Sequence, residues 1–369
     1  MFTKKKLTFT IALFLLAILE TIAQTIVVDK DEDFPVAFAS VFNQDGKFLG
    51  QTDAEGVLPS VEGAKSIKVT HIAYEPLKVK ANQLSKTLKM KPVQMKLNEA
   101  VIAKPKSHCI RLTGFLRNYV LTNQVFEDED PVLRFFEGTG HLYIFLDGKK
   151  SNKWADLAAR DSKTGQMVEK QERVHLSLKS KSINERILKS EKTKLNQVDG
   201  YQQIIRNDTT IGTVVKDTVN KIIRTDIDYL FPDTVRTLNL VIIKLRVTSA
   251  KENYIYADKE DDDDYVSQSS LLAYQNYMHY WTNTFGMRLE GDRFEEFYVD
   301  KAEFLTEDEY KSETKALKEK KKAKVSELTS KELDEYITSH HIPDIPEELV
   351  NSLEVSRQIS AKKAEKKKK

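Results

Sequence analysis

Residues 50–74 read GQTDAEGVLPSVEGAKSIKVTHIAY. Within this stretch, the TDAEG segment at residues 52–56 is typical of a tight turn between two short alternating strands. A glycine at the end of such a turn takes a positive φ at no steric cost, and an aspartate near its start bonds the following backbone. The stretch therefore predicts a β-sheet unit in this part of the chain.

Short strand-like runs surround this turn. They are rich in β-branched residues and separated by Gly, Pro, Asn or Asp, and no helical period precedes residue 98. The predicted strands lie at residues 25–28, 37–42, 47–51, 67–72, 77–80 and 93–97. Their spacing predicts a two-sheet β-sandwich at residues 24–103, with a proline-containing linker at residues 103–106.

Four segments of this unit resemble one known domain family. They are FPVAFASV at residues 34–41, TDAEGV at residues 52–57, IKVTHIAY at residues 67–74 and VQMKLNEAVI at residues 93–102. Together they resemble the carboxypeptidase regulatory-like (peptidase-associated, transthyretin-like) domain of exported Bacteroidota proteins. The resemblance implies a transthyretin-like or Ig-like sandwich that serves packing and docking and carries no catalytic residues. Ala73 departs from the pattern, because the family usually has Gly there.

The start of the chain predicts export. Residues 1–23 contain a basic Lys4–Lys6 segment, an apolar run at residues 7–19 and a small-x-small site ending at Ala23, as in a cleaved signal peptide. An uncleaved N-terminal anchor is the alternative, although a helix needs about 20 apolar residues to span a bilayer and this apolar run is shorter. Cys109 is the only cysteine, so no intramolecular disulfide can form, and an inert buried thiol is expected.

The charge of the chain is balanced but uneven. The formal net charge is +2 in 369 residues, which gives no reason to expect a nucleic-acid partner. Acidic runs occupy residues 127–130 and 261–264, and solvated loops are expected there. Residues 361–369 form a lysine-rich tail that is predicted to be disordered, with peripheral contact to acidic membrane head groups as the functional alternative.

The sequence after residue 106 predicts a β-rich antiparallel domain at residues 107–305 and a helical segment at residues 306–360, so the whole chain is predicted to be an α+β protein. This part of the chain resembles the uncharacterised region that follows the regulatory-like domain in such proteins. Residues 110–122 suit either a strand or a helix. Strands are expected at residues 141–146, on both sides of an Asn207-Asp208 turn within residues 200–223, at residues 238–248 with both faces buried, and at residues 293–305. Helices are expected to begin at Thr306, Thr329 and Asp344.

An aromatic stripe stands out within residues 271–281. Tyr274, Tyr277 and Trp281 have helical spacing, and such a stripe is more often core than a ligand platform. A curved antiparallel sheet wrapped around a helix, as in periplasmic lipid carriers, is the alternative for this region. That alternative makes the second domain a carrier of an apolar, lipid-like ligand.

Motifs for catalysis and cofactor binding are missing. The sequence contains no HExxH pair, no GxSxG elbow and no phosphate-binding loop, so no catalytic, cofactor-binding or metal-binding residue is assigned. His340 and His341 are adjacent, so their side chains point apart and a metal role is disfavoured. An unrecognised hydrolase remains an alternative that would place His141 or His175 beside carboxylates in a cleft.

Three Asp-Thr segments resemble the O-glycosylation site of Bacteroidota proteins. They make Thr209, Thr218 and Thr234 candidate modification sites.

Export, a docking module and the lack of catalytic motifs together predict a non-enzymatic binding or scaffold protein. We expect it in the periplasm or at the periplasmic face of the outer membrane, as an accessory subunit of a complex built on an outer-membrane β-barrel. Such a complex would serve assembly, secretion or import. The sequence indicates no cofactor and no small-molecule substrate.

Overall fold

A computed structural model of the protein describes residues 24–95, 106–124, 132–148, 152–161, 167–169, 178, 184–188, 190–230, 235–239, 243–258, 267–284, 287–322 and 329–343. Several predicted features lie outside these residues. They are the signal segment at residues 1–23, the linker up to residue 105, the acidic runs at residues 127–130 and 261–264, the third helix from residue 344 and the tail at residues 361–369.

Six short strands form two small sheets at the N-terminal end of the described chain. The strands are β1 (Ile26–Asp29), β2 (Ser40–Asn43), β3 (Phe48–Gln51), β4 (Ser66–His71), β5 (Tyr74–Lys80) and β6 (Thr87–Met90). One antiparallel sheet has the order β3-β2-β4-β5, while β1 pairs in parallel with β6. The first five predicted strands are confirmed to within a few residues.

The sixth predicted strand, at residues 93–97, is wrong in its described part. Residues 93–95 belong to no strand, and the chain forms β6 earlier. Leu88 and Met90 alternate with exposed residues and enter the core. Pro92 follows them and has no backbone N–H to continue a ladder.

The predicted TDAEG turn is present, and it carries the chain from one small sheet to the other. Asp53 Oδ1 accepts hydrogen bonds from the N–H groups of Glu55 at 3.0 Å and Val57 at 2.8 Å, and Gly56 has a φ of +78°. β3 precedes the turn in the four-stranded sheet, whereas Val57 bridges Ile26 of β1 after it. The turn therefore joins two sheets rather than two paired strands.

Twelve strands among the described residues form one large antiparallel sheet. They are β7 (Ser107–Gln124), β8 (Val132–Phe145), β9 (Lys153–Asp161), β10 (Met167–Glu169), β11 (Thr193–Val198), β12 (Tyr201–Arg206), β13 (Thr209–Asp217), β14 (Ile222–Asp228), β15 (Arg236–Asn239), β16 (Ile243–Ala257), β17 (Leu271–Thr284) and β18 (Met287–Thr306). The order is β10-β9-β8-β7-β18-β17-β16-β14-β13-β12-β11, and β15 pairs with β16. The β-rich antiparallel prediction is confirmed.

The first and last strands of the large sheet are neighbours at its centre. β7 and β18 pair from Ser107 opposite Thr306 to Gln124 opposite Leu289. From this pair, β8 to β10 extend the sheet on one side, and β17 back to β11 extend it on the other. Two meanders therefore meet at one long central pair.

One face of the large sheet encloses its own apolar core. Side chains from strands distant in the sheet order, such as Leu142 of β8 and Ile204 of β12, lie in a single cluster. Leu178, Ile187 and Leu188 complete that cluster. The sheet is therefore bent around this core, and we call this its inner face.

The outer face of the large sheet packs against the small N-terminal sheets. Val41 and Val69 share an apolar cluster with Ile222, Ile255 and Leu272 of the large sheet. A second, aromatic cluster joins Phe42 and Phe48 to Tyr119, Tyr277 and Phe294. The N-terminal sheets and the large sheet thus bury apolar surface against each other.

Residues 238–248 were expected to form one strand with both faces buried, and this is wrong. β15 ends at Asn239 and β16 begins at Ile243, and the two strands pair with each other. In β16, Lys244 and Arg246 are exposed while Leu245 is half-buried. A run of aliphatic residues favours one long strand or two short ones equally, so it does not reveal the reversal.

Other expectations for this region are confirmed. β12 and β13 flank Asn207 and Asp208, whose φ values of +50° and +56° suit a type I′ hairpin turn. Residues 110–122 lie in β7, residues 141–145 lie in β8, and residues 293–305 lie in β18.

Two helices follow the large sheet within the described residues, α1 (Glu307–Lys322) and α2 (Ser330–Ser339). Both predicted starts are confirmed, because Thr306 and Thr329 exchange capping-box hydrogen bonds with Glu309 and Glu332. Leu333 of α2 is buried against Phe115 of β7, so α2 lies on the outer face.

Candidate functional site

A row of polar side chains crosses the outer face of the large sheet from β9 to β11. Residues directly paired in antiparallel strands point to the same face. The paired positions, in sheet order, are Arg160, Glu137, Arg117, Glu296, Gln275, Asn253, Asp226, Thr213, Gln203 and Asn196. We call these ten residues the polar row. Its members from Glu137 to Thr213 are buried, so the row lies at an interface and not on a wet surface.

His71 at the end of β4 connects the small sheets to the polar row. The Ala73 N–H donates to His71 Nδ1 at 3.1 Å, so Nδ1 is unprotonated and the proton lies on Nε2. Nε2 then donates to Asp226 Oδ1 at 3.3 Å, and Asn253 donates to the same oxygen at 2.9 Å. Burial lowers the pKa of His71, although Asp226 opposes this. The imidazole is therefore neutral and fixed in one tautomer.

Arg224 holds the other oxygen of the same carboxylate. Its Nε donates to Asp226 Oδ2 at 2.9 Å and its Nη2 donates to Pro35 O at 3.1 Å. Its guanidinium also lies 5.1 Å from the centroid of the Tyr74 ring. Burial by itself raises the pKa of Asp226, but the charge of Arg224 and the bonds from His71 and Asn253 hold that pKa below its usual value. The carboxylate is thus ionised and fully enclosed.

Arg117 is the centre of the other half of the polar row. Its Nε donates to Glu137 Oε2 and its Nη1 to Glu296 Oε2, each at 3.3 Å, and Nη1 also donates to Pro343 O at 2.7 Å. The side chain is only 3% exposed. One buried guanidinium therefore joins two strands of the large sheet to the segment that follows α2.

Helix α2 is attached to the same network through Arg160. This side chain donates to Glu137 Oε1 and pairs with Asp334 Oδ1 at 2.8 Å. Glu137 is thereby shared between two arginines, which offsets the cost of burying its charge.

Burial perturbs the ionisable groups around Arg117. It raises the pKa of Glu296, although the charge of Arg117 opposes this. It also raises the pKa values of Tyr119 and Tyr298 well above the ordinary range. Gln275 donates to Glu296 Oε1 at 3.3 Å. Perturbed groups of this kind occur both at functional sites and in structural ion-pair networks.

Two cavities meet where the small sheets, the large sheet and α2 come together, and we call them the junction cleft. The polar end is lined by Thr70, His71, Ile72, Tyr74, Pro76, Arg117, Tyr119, Gln275, Glu296, Tyr298 and Pro343. The lining of the apolar end includes Val93, Met95, Leu272, Val299, Tyr336 and Ile342. Ile72, Tyr298 and Pro343 border both ends. The cleft therefore combines a hydrogen-bonding end with a hydrophobic end.

His340 and its neighbours close the apolar end. His340 stacks on Tyr336 with ring centroids 3.9 Å apart, its Nδ1 donates to Tyr336 O at 2.9 Å, and its Nε2 lies 3.2 Å from Asp300 Oδ1. His341 is exposed. Among the described residues, no cluster of three His, Cys, Asp or Glu suits a metal ion.

The predicted helical stripe of aromatic residues is wrong, because these residues lie in β17. Tyr274 and Tyr277 are an odd number of positions apart, and they face opposite sides of the sheet. Tyr274 lies in the inner core, whereas Tyr277 packs with Phe294 on the outer face. Spacings of three and seven residues match a helix by chance here. The stripe therefore forms no single platform for a ligand.

The inner face has its own buried polar group. Arg186 donates to Glu252 Oε2 at 2.9 Å and to the Tyr254 hydroxyl at 3.2 Å, and that hydroxyl donates to Glu252 at 2.7 Å. Tyr254, Tyr256 and Tyr274 are fully buried beside this pair.

The remaining sequence candidates lie away from the junction cleft. Thr209 and Thr218 are exposed at the start of β13 and in the turn after it, and Thr234 lies outside the described residues. His141 Nδ1 is 2.9 Å from Thr113 Oγ1 in the paired strand β7, and His175 lies outside the described residues. Cys109 is buried, as expected.

Sequence reasoning missed the polar row, although one signal was present. Glu295 and Glu296 are adjacent within β18, and adjacent strand residues point to opposite faces. Both are buried, so each face of the sheet had to contain polar partners.

No protein-family model matches the chain, and no curated protein matches it. The resemblance to the carboxypeptidase regulatory-like domain therefore stays a prediction.

Among the described residues, no helix has the length and apolar character that crossing a membrane requires.

Proposed function

We propose that this protein is a non-enzymatic binding or scaffold protein of the cell envelope. In this proposal, residues 1–23 direct export, and the small N-terminal sheets are a carboxypeptidase regulatory-like, transthyretin-like sandwich. The mature protein acts at the periplasmic face of the outer membrane as an accessory subunit of a β-barrel complex for assembly, secretion or import.

The observation that carries this proposal is the buried junction between the small sheets and the large sheet. His71, Arg224 and Asp226 are hydrogen-bonded across it and enclosed on all sides. A domain that serves docking is useful in a scaffold only if its position relative to the rest of the protein is fixed. Ionic and apolar contacts together provide that fixed position.

The pairing of the buried charges supports a packing role for the polar row. Arg117 binds Glu137, Glu296 and a backbone carbonyl, and Asp226 binds Arg224 and His71. A general base or nucleophile must be able to approach a substrate, whereas these groups are each enclosed by fixed partners. Their geometry suits the joining of structural units.

A pull-down from the native outer membrane in mild detergent tests the proposal. We expect the tagged, full-length protein to co-purify with an outer-membrane β-barrel at fixed stoichiometry. An unrelated exported protein with the same tag is the control. Recovery of the tagged protein solely as a free monomer would contradict the scaffold function.

A second candidate function, the binding of an apolar ligand, has the apolar end of the junction cleft in its favour. Val93, Met95, Leu272 and Ile342 line that cavity, and ligand sites are lined predominantly by hydrophobic side chains. Native mass spectrometry of protein isolated from its own envelope tests this. A lipid-sized adduct that disappears in Leu272→Asp, but persists in the exposed-site variant Lys301→Met, would support it. A bare polypeptide mass would count against it.

A further inference from the structure

Two amide side chains in the middle of the polar row each have a carbonyl oxygen that accepts no hydrogen bond from the described residues. Asn253 of β16 and Gln275 of β17 are directly paired, so their Cβ atoms lie about 4.5–5.5 Å apart on the outer face. Both residues are buried, and the two oxygens are Asn253 Oδ1 and Gln275 Oε1. Buried polar atoms without a partner are rare and cost free energy.

Neighbouring carboxylates fix the orientation of both amides. Asn253 Nδ2 donates to Asp226 Oδ1 at 2.9 Å, and Gln275 Nε2 donates to Glu296 Oε1 at 3.3 Å. Rotating either amide by a half turn would place its carbonyl oxygen against a carboxylate oxygen, and neither atom can donate. Exchanging the amide oxygen and nitrogen therefore does not satisfy these two oxygens. Each of them can accept a hydrogen bond from a further group.

The polar end of the junction cleft also lies beside an excess of negative charge. Three carboxylates pair there with two guanidinium groups, namely Glu137, Glu296 and Asp334 with Arg117 and Arg160. Burial raises the pKa of Glu296, although the charge of Arg117 opposes this. A further positive charge beside Glu296 would therefore stabilise its ionised form.

The lining of the polar end suits a small cation that donates hydrogen bonds. Gln275 and Glu296 line it together with the aromatic side chains of Tyr119 and Tyr298, and aromatic rings attract cations. A primary ammonium group has three N–H donors and no acceptor. Such a group matches the unpaired amide oxygens, the excess of carboxylates and the aromatic rings at the same time.

We propose that the polar end of the junction cleft binds the primary ammonium group of a small organic amine. Gln275 Oε1 and the Glu296 carboxylate accept hydrogen bonds from its N–H groups, with Asn253 Oδ1 as the paired acceptor beside them. The apolar end borders the polar end at Ile72 and Tyr298, and it receives an alkyl chain attached to the ammonium group. The ammonium site goes beyond the proposed scaffold function, and only the alkyl chain rests on the second candidate function.

Titration of the full-length protein with matched amines tests the ammonium site. The probes are n-hexylammonium and n-hexyltrimethylammonium chloride at neutral pH and constant ionic strength, and binding is measured by isothermal titration calorimetry. The trimethyl compound keeps the chain and the charge but has no N–H donor. Since hydrogen bonds that involve charged groups are the stronger ones, we expect n-hexylammonium to bind at least about tenfold more tightly. Equal binding of the two compounds, or binding of neither, would overturn the proposal.

A matched pair of substitutions locates the site. Gln275→Met keeps the length of the side chain and removes the carbonyl oxygen. Gln203→Met makes the same change in the polar row, at a position that does not line the junction cleft. We expect Gln275→Met to weaken the binding of n-hexylammonium at least about fivefold and Gln203→Met to leave it unchanged. Equal affinities in the two variants would overturn the assignment, and the two amines still decide the outcome in the natural chain if Gln275→Met fails to fold.

Methylammonium separates this inference from the second candidate function, because it has the ammonium group without the chain. We expect n-hexylammonium to bind at least about tenfold more tightly than methylammonium, since its chain is buried in the apolar end. Equal binding of these two amines would contradict the second candidate function and leave the ammonium site supported. Failure of the outer-membrane pull-down would contradict the scaffold function and leave all of these titrations unaffected.

Discussion

Arg117 of β7 binds Glu137 of β8, Glu296 of β18 and the carbonyl group of Pro343 after α2. Arg117→Met would leave the carboxylates of Glu137 and Glu296 buried without this partner, and breaking a buried ion pair in this way costs about 3–5 kcal/mol. We therefore expect a loss of that size in the free energy of unfolding, measured with urea. Lys301→Met, at a position with 62% side-chain exposure, is the control and should change it by less than about 0.5 kcal/mol. A similar small effect at Arg117 would contradict a structural role for the polar row.

Because His71 is buried, we expect the free energy of unfolding to decrease at acidic pH. Burial lowers its pKa in the folded state, so below about pH 6.5 the unfolded state takes up a proton more readily than the folded state. The contribution of His71 to stability is therefore lost as the pH falls below the unfolded-state pKa of about 6.5 toward the lower folded-state pKa. His71→Gln removes the titrating group, and we expect it to reduce the dependence of the unfolding free energy on pH across this window.

The matched control for this prediction is His279, whose pKa is shifted in the opposite direction. Hydrogen bonding to Asp292 raises its pKa, so its contribution is present at low pH and lost as the pH rises through its folded-state value. His279→Gln should thus leave the decline toward pH 5 in place or make it steeper. If both variants reduced the decline equally, the assignment to His71 would be wrong.

The turn between the two small sheets has a steric requirement for glycine at residue 56. Gly56 and Gly63 share a φ of +78°, but a Cβ at Gly56 would lie 2.5 Å from Val27 O, whereas one at Gly63 meets nothing within 4 Å. Alanine at either position has the cost of a positive φ, about 1 kcal/mol. Gly56→Ala adds a backbone clash and is expected to lower the urea midpoint clearly more than Gly63→Ala. Equal urea midpoints would show that the backbone of the turn shifts to accommodate the added Cβ without cost.

Local elements were predictable from sequence, whereas long-range register was not. The Asp53 turn, the Asn207-Asp208 turn and the Thr306 cap depend on residues within five positions of each other, so their chemistry is visible in the sequence. The contact between Arg117 and Glu296 depends on β7 pairing with β18, which no local pattern specifies. The spacing of the aromatic residues in β17 matched a helical period for the same reason. The segment is a strand because it pairs with β16 and β18, and the local sequence does not specify that pairing.

At the scale of the whole molecule, the shared clusters predict cooperative unfolding. Val69 of the small sheets and Ile255 of the large sheet are both fully buried in one cluster, so each unit exposes buried apolar surface when the other unfolds. We expect a single calorimetric transition for the natural chain. Ile255→Ser should lower its midpoint and broaden or split it. Two separate transitions in the natural chain would show that the two units are independently stable.

The central pairing of β7 with β18 also has a consequence for the timing of folding. The two strands are separated by more than 160 residues, and their contact closes the longest loop in the large sheet. Contacts of such high sequence separation form slowly, since loop closure must precede any gain from pairing. The sheet is complete only when residue 306 has joined residue 107. If the proposed export carries the chain across a membrane before it folds, the central pair stays unmade until β18 has arrived.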